Sequence, residues 1–196
     1  MNRILGRSAV FALIAALGSG CTLLPEQPAV DRAWFLLEVP EAALLEQPGP
    51  LVELGTVRVA PAFAGKGLVY RLGPYRYESD FYNEWFLSPR EHVEQLLRER
   101  WSREGAPVSL IADAGAHPQA RQVDVLVTAL YGDLHVEGSG MARVGLRVLA
   151  QGVDGMRLWE LEQQVALVAR TPEALVAALS AGMAALLEDL ERRLGE

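Results

Sequence analysis

The sequence predicts an α+β fold: one mostly antiparallel sheet with two long helices packed on it. Three observations lead there. Apolar and polar residues alternate through residues 51–60, 142–150 and 158–168, the period of half-buried strands. Two stretches opening at Ser88-Pro89 and Thr171-Pro172 repeat apolar residues at helical spacing. With 196 residues, 51% of them hydrophobic, the chain is long enough to bury one domain's core.

The elements follow in order. Ala33-Trp34-Phe35-Leu36-Leu37-Glu38-Val39 is a short strand that Pro40 ends. Residues 41–50 form a connector broken by Pro48-Gly49-Pro50. The next strand sets Val57 and Val59 on one face and Thr56 and Arg58 on the other, and residues 61–67 form a loop. Leu68 to Glu78 reads as two strand pieces joined through Gly73-Pro74.

The first helix starts at Ser88, with Pro89 at its first position and Glu91 completing a capping box. Val93, Leu96, Leu97 and Trp101 share one face; Glu91, Glu94, Arg98 and Glu99 take the other. Gly105-Ala106-Pro107 stops it, and residues 108–111 form a short strand. Residues 122–131 are apolar on both faces in part, which suits a covered central strand. Gly138-Ser139-Gly140 and Asp154-Gly155 then turn the chain twice, giving an antiparallel meander. In the last helix Leu175, Leu179, Met183, Leu186, Leu190 and Leu194 recur at helical spacing. Packing against the sheet explains that seam better than a partner groove does.

The amino terminus reads as a processing segment. Arg3 and Arg7 precede an apolar run, residues 9–17, which is shorter than the roughly 20 residues needed to span a bilayer. Gly18, Ser19 and Gly20 follow, then Cys21, the chain's single cysteine. Small residues before a lone cysteine look like a bacterial lipobox. That implies a leader over residues 1–20, a lipidated Cys21 with a tether over residues 21–32, and a folded domain over residues 33–196. An ordinary secretory leader and an uncleaved signal anchor are the alternatives. Pro25 and Pro28 suit an extended tether. Thr22, in place of the aspartate that tends to retain lipoproteins at the inner membrane, implies the outer membrane by the same resemblance.

Removing 20 residues leaves 176. The leader carries two Arg and no acid, so the net charge of −7 becomes −9. So acidic a chain is a poor candidate for binding nucleic acid or for coating anionic lipid through a basic patch.

Aromatic residues crowd one span: Tyr70, Tyr75, Tyr77, Phe81, Tyr82, Trp85 and Phe86, in a chain that is 7% aromatic overall. Aromatics with a polar end suit a surface that is half core and half interface. The order Val69-Tyr70-Arg71, turn, Tyr75 and Tyr77, Trp85, then a helix capped at Ser88 resembles the ABC-type transport auxiliary lipoproteins. Val57-Arg58-Val59-Ala60-Pro61 and the order of elements to the C-terminus fit as well. The resemblance implies an auxiliary subunit of a lipid-transport system, anchored in the outer membrane through Cys21. Its partner would be an MCE-type, periplasm-spanning component, with a ring of its own copies as the assembly that would suit a tubular partner. Tyr70, Arg71, Tyr75, Tyr77, Tyr82 and Trp85 are the candidate contact surface. The alternative is a lipoprotein that itself binds and hands over lipid or lipopolysaccharide, its pocket lined by the leucine seam.

No residue pattern argues for an enzyme, a cofactor or a metal. His92, His117 and His135 are scattered, with none at metal-ligand spacing to a cysteine or carboxylate. His92 and His117 read as solvated, and His135 beside Asp133 as a surface pair. Ser139 sits in a bare Gly-Ser-Gly turn rather than a nucleophile elbow, and Gly65-Lys66-Gly67 lacks phosphate-loop spacing. Tyr70 and Arg71 suit an anionic ligand, or a structural role equally.

Overall fold

A computed structural model describes residues 31–135 and 138–196. The leader, Cys21 and all but the end of the tether lie outside the described residues. Eight strands form one sheet among them: β1 (Ala33–Phe35), β2 (Leu51–Val59), β3 (Gly67–Arg71), β4 (Tyr77–Trp85), β5 (Ser109–Ile111), β6 (Arg121–Asp133), β7 (Met141–Gly152) and β8 (Gly155–Ala166). Two long helices accompany it, α1 (Pro89–Trp101) and α2 (Pro172–Gly195).

The sheet is built on β6. Along one edge β6 pairs antiparallel with β7 from Gln122↔Gln151 to Asp133↔Met141. Its other edge is shared. β2 runs parallel to it from Val52↔Arg121 to Val59↔Val127, and β3 runs parallel to its end at Tyr70↔Gly132 and Arg71↔Asp133. β5 adds to β2 and β1 to β4, both parallel; β3–β4 and β7–β8 are antiparallel. The sheet is therefore mixed, which corrects the expectation of a mostly antiparallel one. Tight turns do give antiparallel pairs, as Asp154-Gly155 does. Longer connectors, such as the loop between β2 and β3, return the chain in its original direction, and alternation carries no information about which neighbour a strand will meet.

Side-chain alternation does hold. Ala142, Val144, Leu146, Val148 and Ala150 of β7 are buried, and Leu161 of β8 with them. In β6 the buried positions shift from Val123, Val125 and Val127 to Leu130. A bulge between Val127 and Ala129 causes the switch, because one extra residue exchanges the faces.

Both predicted caps form. The Ser88 hydroxyl accepts from Glu91 N–H at 3.4 Å while the Glu91 carboxylate accepts from Ser88 N–H at 3.1 Å. The Thr171 hydroxyl accepts from Ala174 N–H at 3.2 Å. The leucine seam of α2 is fully buried, on β7 and β8. Gly182 faces β7, where a Cβ would lie 3.0 Å from Val144 Cγ2; the absent side chain lets the helix come close.

The segment after β1, residues 36–40, is held by both helices. Leu37 N–H donates to His92 Nε2 of α1 at 3.2 Å, and Glu38 N–H donates to Ser180 Oγ of α2 at 3.0 Å. Beneath it lies a buried ion pair. Arg100 of α1 forks onto Glu191 of α2 at 2.5 and 2.8 Å. Arg100 Nη1 also donates to the Pro40 carbonyl at 2.6 Å, and Trp101 Nε1 donates to Glu191 at 3.1 Å. His92, expected to be solvated, is buried; it faces the segment that follows β1, which no local pattern announces.

Two predictions follow from this pin. Arg100→Met or Glu191→Gln leaves one charge buried without its partner, and each single change lowers unfolding free energy by about 3–5 kcal/mol. The Arg100→Met/Glu191→Met double variant recovers part of that loss, as urea midpoints at pH 7 will show. Burial pushes the His92 imidazole below its ordinary value, and protonation of Nε2 forfeits the Leu37 bond. The unfolded chain then takes up a proton that the folded chain refuses. Stability is thus full above about pH 6.5 and falls as pH drops from there through the lower folded value. His92→Leu starts less stable but flattens that decline between pH 7 and 5, read from the same urea curves.

Candidate functional site

The aromatic span folds into the β3–β4 hairpin. Its base is fixed electrostatically. Asp133, at the end of β6, is fully buried; Arg71 reaches it at 3.3 Å and Arg143 of β7 at 3.5 Å. The Asp133 carboxylate also accepts His135 N–H at 3.3 Å. Arg71 Nε donates to the Gly73 carbonyl at 3.2 Å. Arg71 is thus committed to holding the hairpin on β6 and β7 rather than to waiting for an anion. Asp133 and His135 are no surface pair: one is buried, and the other gives it only a backbone N–H. Tyr70 is half-buried, and burial, then Asp80 and Glu173, push its phenol up to about 12. It is a neutral packing residue at any physiological pH.

Outward from this base the side chains become accessible. Tyr77 meets Tyr131 edge-on at 5.5 Å, and Tyr131 stacks on Phe63 at 5.3 Å. Tyr75, at the turn, is 99% exposed, and Phe81 is 77% exposed beside a half-exposed Tyr82. Asp80 organises that outer edge. Its carboxylate accepts from Tyr82 N–H at 2.9 Å, Asn83 N–H at 3.1 Å and Asn83 Nδ2 at 2.9 Å. Trp85, expected on the contact surface, is only 2% exposed and packs edge-on to His92; it belongs to the core. Phe81, omitted from the expected surface, joins Tyr75, Tyr77 and Tyr82 there.

A second feature went unread in the sequence. An open groove of about 880 Å³ runs along the back of α2. Trp34, Leu36 and Phe86 form one wall, and Val176, Ala177, Ala181, Ala184 and Ala185 form the floor. Trp34 and Phe86 are 58% and 60% exposed. Glu38, Glu173 and Glu188 line its rim. The signal was there in the alanines, spaced 4, 3 and 1 apart on the helix face opposite the leucine seam, but small residues alone do not announce a groove. The seam's own residues are buried as α2 packs on β7 and β8, and they do not line this groove.

A family model described as ABC-type transport auxiliary lipoprotein component matches residues 35–191. No curated protein matches the chain. Among solved structures, one described as an uncharacterized protein superposes with a TM-score of 0.68 at 16% identity, covering 84% of this chain and 99% of its own. Another, protein XCC0632 from Xanthomonas campestris, assigned to the family DUF330, gives 0.65 at 11% identity, covering 83% and 95%. These two show the same fold. No helix among the described residues is long and apolar enough to cross a membrane. With the family model running from residue 35 across the whole aromatic hairpin and α1 and to residue 191 within α2, the chain belongs to the ABC-type transport auxiliary lipoprotein family.

Proposed function

We propose that this chain is the lipid-anchored docking subunit of an MCE-type intermembrane lipid transport system. Residues 1–20 are then a cleaved leader, Cys21 carries the acyl chains, and residues 21–32 tether the domain to the inner face of the outer membrane. Several acyl chains, at about 0.8 kcal/mol per buried CH₂, hold the protein without a spanning helix. The domain binds and positions a periplasm-spanning subunit, and no bond is made or broken. Anchoring raises the effective concentration of a weak contact.

The observation that supports docking most directly is a set of exposed aromatic side chains, Tyr75, Tyr77, Phe81 and Tyr82. All belong to a hairpin whose base is fixed by Asp133 and its two arginines. Rigid, accessible aromatics are the residues that carry interface energy. The groove along α2 favours a second reading, in which the chain itself takes up lipid tails. Its three rim carboxylates count against an anionic headgroup. Stoichiometric phospholipid in the mass spectrum of membrane-extracted, washed protein decides for that reading.

Cys21→Ala is expected to release the protein from the outer-membrane fraction and to reduce recovery of the MCE-type subunit in a pull-down. A variant that stays in the membrane contradicts the anchor. Tyr75→Ser/Phe81→Ser/Tyr82→Ser is expected to cut recovery of the partner at least about tenfold. Its urea stability should move by no more than about 0.5 kcal/mol per exposed site. By contrast, Trp85→Ala should lose about 3–5 kcal/mol of stability, as a buried ring does.

A further inference from the structure

The hairpin explains one apolar surface, and the groove along α2 is left over. It is elongated. The floor and rim residues run from Glu173 to Glu188 along one helix, a length of about 22 Å. That matches four turns of a second helix and is far too long for a single inserted side chain. The floor is made of alanines, so a helix backbone can approach to the roughly 8–10 Å of close helix packing. The opposite wall, Trp34, Leu36 and Phe86, offers large apolar side chains that no other described residue covers.

Charge selects among occupants. Three glutamates and no lysine or arginine line the groove. Lys66, whose ammonium donates to the Phe86 carbonyl at 3.0 Å, does not line it. The chain's own tether, residues 21–32, carries Glu26 and Asp31 against the single Arg32, so it is net acidic and has no basic stripe to offer the rim. A second copy meeting the groove with this same face would bring the same three carboxylates to it, and an anionic headgroup is repelled by them likewise. What complements an apolar floor with an acidic rim is an amphipathic helix bearing an apolar stripe flanked by Lys or Arg.

We propose that the α2 groove is a second docking site, separate from the aromatic hairpin, and that it takes a basic amphipathic helix of a partner protein. The proposal deepens the docking function and rests on it. The Arg100–Glu191 pair and the His92 and Ser180 bonds hold residues 36–40 against both helices, so the groove wall is preformed. Binding needs little ordering of this chain, which favours affinity.

The test uses the full-length protein and a labelled synthetic helix of about 18 residues, with a leucine stripe flanked by lysines. A glutamate-flanked counterpart serves as the control, and both are read by fluorescence anisotropy. The lysine probe should bind at least about tenfold more tightly than the glutamate probe. Ala181→Trp, which fills the groove from an exposed position, should weaken the lysine probe at least about tenfold without changing Tm. Glu173→Lys/Glu188→Lys should reverse the order of the two probes. Equal binding of both probes, or indifference to Ala181→Trp, overturns the proposal. So does displacement of the lysine probe by phosphatidylglycerol vesicles whose own binding Ala181→Trp abolishes, since that marks a lipid site. So too does a dimer that Ala181→Trp dissociates while the probe fails to bind, since that marks a contact between copies.

Photo-crosslinkers placed separately at Ala181 and Phe81 in membranes distinguish this proposal from its premise. A transporter subunit trapped through Ala181 supports the groove. Trapping through Phe81 alone sinks the groove and leaves the docking function standing, whereas trapping through neither sinks both.

Discussion

Arg100 and Glu191 stand 91 residues apart in the chain and meet in a buried site. Most of the architecture outside the sheet depends on that contact. A buried charge is costly alone and tolerable only when its partner and the remaining donors are in place. Here the guanidinium has two oxygens of Glu191 and the Pro40 carbonyl, while the carboxylate also has the Trp101 indole N–H. The pair therefore does more than join two helices. It admits one arrangement of α1, α2 and the residues following β1, because any other leaves ions unpaired.

This constraint positions the groove. The two outward features of the molecule sit on different supports. The aromatic hairpin hangs on β6 and β7 through Asp133 and its two arginines. The groove has α2 for a floor and the segment pinned by His92 and Ser180 for a wall. In each case a buried polar contact fixes a piece of irregular or edge backbone, and that backbone then presents apolar side chains to solvent. Such an arrangement suits the proposed docking role: the exposed apolar surfaces are prepared in advance, and the stability comes from elsewhere, from the leucine seam of α2 against β7 and β8.

What the sequence made legible were the features set by near neighbours. Ser88, Pro89 and Glu91 mark a helix start because the groups that satisfy its free N–H donors lie within one turn. The leucine seam marks a buried face because helical spacing puts those residues together. Strand faces were legible for the same reason, until the bulge in β6 moved the buried position to Leu130. Strand direction was not, since parallel pairing of β2 and β3 with β6 depends on where long connectors return the chain. His92, Asp133 and Glu191 each look like ordinary surface residues in the sequence. Their burial is decided by partners far along the chain. The proposed contact surface was half legible: a crowd of aromatics marked the hairpin, but no local rule separates Trp85, which packs beside His92, from the exposed Phe81.

Native-state amide hydrogen exchange at Leu37 and Glu38 tests the central claim most directly. If the helices and the ion pair fix this segment, both amides exchange only when the whole domain unfolds, with an opening free energy equal to that from urea denaturation. If instead they exchange through local openings several kcal/mol cheaper than global unfolding, the segment is a mobile loop and the groove has no preformed wall.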